Sequence, residues 1–130
     1  MKSKIVIVSS AVFMAILGLA LTFAPDELVM SAVGHKEPEI KIALQLLGAL
    51  YLSFAMTNWM TKDGIIGGIY NRPVALGNFL HFLMGGLALA RLLLGGNENW
   101  IMIIITLIYT AFAVAFYFVV FRHPKIEPEK

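Results

Sequence analysis

The stretch "PVALGNFLHFLMGGLALARLLL", residues 73–94, decides the fold. A helix crossing the hydrocarbon of a bilayer needs roughly 20 mostly apolar residues, and this run supplies them. It contains no acidic residue, and Asn78, His81 and Arg91 are the groups that hydrocarbon rejects. Working outward, three further stretches meet the same requirement: about Ile5 to Ala24, about Ile40 to Met60, and about Trp100 to Phe121.

The chain of 130 residues is 59% hydrophobic and 14% charged, whereas a soluble domain carries about 25% charged residues. Such a chain needs lipid as its solvent. The first apolar run follows "MKSK" and ends in "TFA", the outline of a secretory signal. It exceeds the ~7–15 residues of a signal core, so a membrane helix is expected. The expectation is an all-α integral membrane protein: a four-helix bundle in a single transmembrane domain over residues 1–130.

The same composition excludes whole classes of chemistry. There are 0 cysteines, which removes disulfides, thiolate nucleophiles, Cys-ligated zinc and iron–sulfur clusters. A net charge of +2 gives no reason to expect nucleic acid as a partner. The loop "DGIIGGIYN" is glycine-rich, but no GK[ST] follows, so it reads as a tight turn between antiparallel helices; "GGNEN" reads likewise. "LGLAL" at Leu17–Leu21 and "GGLAL" at Gly85–Leu89 are too short and too apolar to establish a duplication.

Basic residues set the expected orientation. With the N-terminus inside, Lys2, Lys4, Lys62, Arg72, Arg122, Lys125 and Lys130 are cytoplasmic, against Lys36 and Lys41 outside. Both termini are therefore expected in the cytoplasm of a multi-pass cell-membrane protein. In the first outer loop Pro25 suits a helix start, Asp26 and Glu27 follow in the first turn, and Gly34 stands at the stop. Leu28, Val29, Ala32 and Val33 share a face, so a short amphipathic helix over about 26–33 is expected on the outer surface.

Depth, counted at 1.5 Å per residue, arranges the polar side chains. Asn78, Asn58 with Thr57, Tyr117, and Ser9 with Ser10 fall at one level toward the inner ends of the four helices. His81 is one turn higher, and Arg91 stands near the outer end with Gln45 and Thr22 at a similar height. Small residues interspersed with polar ones mark faces packed against other helices. On that basis the buried faces are Gly77, Asn78, His81, Gly85 and Ala88 on the third helix. The first offers Ala11, Ala15, Gly18 and Thr22, and the fourth Thr106, Thr110, Ala113 and Tyr117.

Asn58, Asn78, His81 and Tyr117 are the candidate ligand-binding residues; the alternative is a structural hydrogen-bond layer. Arg91 and Gln45 are candidates for an anionic headgroup at the interface, with Glu98 or Glu39 as competing partners for Arg91. No cofactor or metal is expected. A bundle haem needs two histidines, and His35 and His123 lie in opposite aqueous flanks from His81. No Asp or Glu lies within a span, which disfavours ion-coupled transport and a proton relay. No nucleophile, base and orienter are brought together by the spacing, so an enzyme is the weakest reading.

"TFAPDELVMSAVG" followed by "LQLLGALYLSFAMTNWMT" resembles small four-span bacterial membrane proteins of unknown function, of the DoxX type in outline. Gln45 stands where that pattern has an arginine. The resemblance implies a four-helix bundle and carries no activity. Two functions are expected to compete. One is a protein binding or passing a small neutral solute or a lipid through a polar intramembrane pocket, with membrane lipids as partners and a homo-oligomer supplying any path. The other is a structural or accessory subunit of another membrane protein complex.

Overall fold

The computed structural model describes residues 3–64, 68–96 and 99–121. Five helices follow in chain order: α1 Ser3–Phe23, α2 Pro25–Val33, α3 Pro38–Thr61, α4 Arg72–Leu94 and α5 Trp100–Phe121. No strand occurs among the described residues, and the protein is all-α. All but α2 are long and apolar enough to span a membrane. Their 21 to 24 residues reach about 32–36 Å, against a hydrocarbon thickness of ~30 Å. Outward-facing Ile16, Leu46, Leu80, Met84 and Leu107 suit that solvent, where exposed apolar surface costs nothing.

Proline sets the entry to three of the helices. Pro25, Pro38 and Pro73 each occupy the first or second helical position, where the missing N–H has no intrahelical partner to lose. This is why α3 begins at Pro38 rather than at the first apolar residue, Ile40. Polar residues also extend α1 back to Ser3, since helix continuation depends on backbone geometry and not on apolarity.

The described residues form two compact units, residues 7–62 and residues 1–6 with 63–130. In the first, α2 ends at Gly34, whose φ of +82° is left-handed and whose N–H donates to Met30 O at 2.9 Å. Val29 is 2% exposed, while Leu28, Met30 and Val33 on α2 remain exposed. That distribution leaves α2 with apolar side chains that the described residues only partly cover. Lys41 Nζ on α3 pairs with Asp26 at 2.7 Å, fastening α2 to the start of α3. A Cβ at Gly34 would meet nothing within 4 Å, so only backbone strain opposes a side chain there. Gly34→Ala is therefore expected to cost about 1 kcal/mol, read as a small loss in thermal unfolding in detergent.

The second unit pairs α4 with α5. Its buried residues are Ala75, Asn78, Phe82 and Gly86 on α4, and Thr106, Tyr109, Ala113, Phe116 and Val120 on α5. The small-and-polar stripes expected for these helices are thus only partly the buried ones. Ala88, Thr110 and Tyr117 are exposed, while Phe82, Tyr109 and Phe116 take the interior. The physical reason is twofold. Stacked rings bring far more contact area than Ala or Gly, and Thr110 satisfies its own hydroxyl by donating to Thr106 O at 2.8 Å. The "DGIIGGIYN" and "GGNEN" turns include residues 65–67 and 97–98, outside the described residues. So are Lys2, Arg122, Lys125 and Lys130, on which the expected orientation rests, together with His123 and Glu98.

Candidate functional site

In the unit of residues 7–62, a buried polar node joins α1 to α3. Asn58 and Ser10 are both 0% exposed, and Asn58 Nδ2 donates to Ser10 Oγ at 3.1 Å. Ser10 Oγ in turn donates to Ile7 O at 2.8 Å, and Met14 Sδ lies 3.9 Å from the Asn58 amide nitrogen. Ser53, Thr57 and Thr61 instead donate to carbonyls one turn back on their own helix, each at 2.9 Å. That arrangement lets hydroxyls face lipid without an unsatisfied group.

Outside this node α1 and α3 border a groove of about 340 Å³. Its lining is Ala11, Val12 and Ala15 from α1 and Leu52, Ala55, Met56 and Trp59 from α3. Lys62 Nζ sits 4.4 Å from the centre of the Trp59 ring, a cation–π contact at the end of α3. In the loop region His35 Nε2 lies 2.6 Å from Glu37 Oε1, and Lys36 borders a polar crevice with Asp26 and Lys41. These side chains are largely exposed, and such pairs contribute little.

In the second unit His81 Nε2 and Tyr109 Oη are 3.2 Å apart, a hydrogen bond whose direction the imidazole tautomer sets. Asn78 is 0% exposed and donates to Val74 O at 2.9 Å. Around them runs an aromatic column. Phe82 stacks on Phe112 at 4.7 Å and Phe116 at 5.8 Å, and meets Tyr109 edge-on at 5.2 Å. Lys4 and Asp63, also in this unit, form an exposed ion pair at 2.6 Å.

One flank of the α4–α5 pair holds a second apolar groove, of about 320 Å³. From α4 it is lined by Phe79, Phe82, Leu83, Gly86, Leu87 and Ala90, and from α5 by Thr110, Ala113, Val114 and Tyr117. Gly86 is buried against α5, where an added Cβ would make ordinary contacts with Tyr109 and Thr110.

The sequence-derived candidates therefore divide. Asn58 and Asn78 are fully buried and hydrogen-bonded, and His81 is joined to Tyr109. Tyr117 is 48% exposed; its ring meets Phe79 at 6.1 Å and Phe121 at 4.8 Å and borders the groove. Arg91 is exposed in the last turn of α4, and no described carboxylate pairs with it; Glu98 lies outside the described residues. Gln45 is half-buried on α3. Sequence reasoning did not single out Tyr109, although a phenol within an apolar span that also contains a histidine-bearing neighbour is a fair signal for such a bond. It also had no means of finding the grooves, which depend on how the two helices of each pair lean together.

Comparison with known proteins returned no match: no family model fits the chain, and neither a curated protein nor a solved structure aligns with it.

Proposed function

We propose that this is a multi-pass cell-membrane protein, with both termini cytoplasmic, that binds a membrane lipid along the groove between α4 and α5. The observation that carries the reading is the groove itself: an apolar channel of about 320 Å³ running from Phe79 to Ala90 on the flank of an aromatic-packed helix pair. Its lining offers one hydroxyl from Thr110 and the Tyr117 phenol among apolar groups, the chemistry of an acyl-chain site rather than of a polar solute. Asn58, Asn78 and His81 already have partners, so their role in this reading is to fix the helices that shape the groove.

The test is to fill the groove. Val114 is half-exposed and Ala90 partly so, and a phenylalanine at either position projects into the channel without entering the buried core. After exchange into lipid-free detergent, native mass spectrometry of the wild-type chain is expected to retain a phospholipid-sized adduct. Val114→Phe and Ala90→Phe are each expected to reduce that adduct at least tenfold, the equivalent of about 1.4 kcal/mol. Undiminished retention in both variants removes lipid from this groove. A retained polypeptide in place of lipid would favour the accessory-subunit reading instead.

A further inference from the structure

We infer that the lipid held in the α4–α5 groove is an anionic phospholipid whose phosphate is recognised by Arg91. The inference rests on the groove-binding reading above and adds the headgroup class.

The stripe that lines the groove on α4 continues to this arginine. Phe79, Leu83 and Leu87 recur every fourth residue, and the next position in that series is Arg91. At 1.5 Å per residue the step from Phe79 to Arg91 covers about 18 Å, close to the depth of one leaflet of a ~30 Å core. An acyl chain lying along Leu83 and Leu87 thus ends with its headgroup beside a guanidinium at the membrane surface.

Charge complementarity identifies that headgroup. Arg91 is exposed, and none of the ion pairs among the described residues involves it. Lys41, Lys4 and His35, by contrast, each have a carboxylate within 2.7 Å. A guanidinium binds phosphate through two parallel N–H donors, and an ammonium cannot reproduce that fork. Lys62, next to the groove-lining Trp59, is held against the Trp59 ring and the Trp59 carbonyl, which leaves it a poorer headgroup ligand.

The experiment offers the full chain an equimolar mixture of phosphatidylglycerol and phosphatidylcholine in detergent and counts the adducts of each by native mass spectrometry. One basic side chain near the surface predicts about fivefold preference for phosphatidylglycerol in the wild type. Arg91→Gln is expected to bring the ratio to about one while total adducts persist, and Arg91→Lys to restore part of the preference. Circular dichroism of each variant excludes unfolding as the cause. Equal occupancy by the two lipids in the wild type, or a preference that survives Arg91→Gln, overturns the inference. Either result leaves the groove reading standing provided Val114→Phe still removes both adducts. Loss of discrimination between wild type and Val114→Phe defeats the groove reading itself.

Discussion

Gly48→Ala is expected to destabilise the protein by about 1–3 kcal/mol, although alanine is the better helix former by ~1 kcal/mol. The sign follows from what an added Cβ would meet. It would stand 2.5 Å from Thr22 Oγ1 and 3.0 Å from both Gly18 O and Thr22 N. Two of those three atoms are backbone, so no rotamer change relieves the contact and α1 must move off α3. Gly18 faces the same interface, where a Cβ would meet Leu52 Cγ at 2.8 Å and Leu52 N at 3.0 Å. Without a hydrophobic force between helices in lipid, this close approach is the main source of attraction, and glycine is what permits it. Unfolding in a denaturing detergent titration reads the change. A Gly48→Ala protein more stable than wild type would show that α1 and α3 do not pack through this contact.

Phe82→Ala is expected to cost about 2–3 kcal/mol, somewhat less than the 3–5 kcal/mol of an aqueous core. Phe82 is 0% exposed and touches the rings of Phe112, Phe116 and Tyr109. In a membrane the unfolded helix keeps this side chain in hydrocarbon, so the transfer term falls away and the loss of packed contacts remains. Phe82→Leu, which keeps most of the volume, is expected to lose about half as much. The same detergent titration measures both. A loss below ~0.5 kcal/mol for alanine would mean that the α4–α5 pair is not built on this column.

The spans were legible because their cause is one-dimensional. Apolar run length fixes that residues 73–94 form a helix, and Pro25 and Gly34 mark ends that need no tertiary information, whereas the start of α3 at Pro38 was missed because apolarity begins only at Ile40. Which face turns inward is a different matter. In a uniformly apolar helix such as α5, the usual contrast between polar and apolar sides is absent, and hydroxyls do not restore it. Thr110 and Thr57 bond their own helices and so carry no directional signal, whereas Asn78, expected on a packed face, is 0% exposed, and Asn58, for which only a depth was expected, is buried as well. The partner of His81, Tyr109, was not singled out, because apolar run length says nothing about which α5 residue stands opposite a given α4 side chain. The grooves were illegible because they are shapes left between packed surfaces and have no residue pattern of their own.

Photo-cross-linking tests the central claim most directly. A diazirine analogue of leucine at Leu87, in the groove, is compared with one at Leu107, which is 65% exposed and absent from the groove lining. After washing in lipid-free detergent and illumination, residue 87 is expected to carry a covalent phospholipid and residue 107 is not. Equal labelling at the two positions, or none at 87, would contradict a lipid held between α4 and α5.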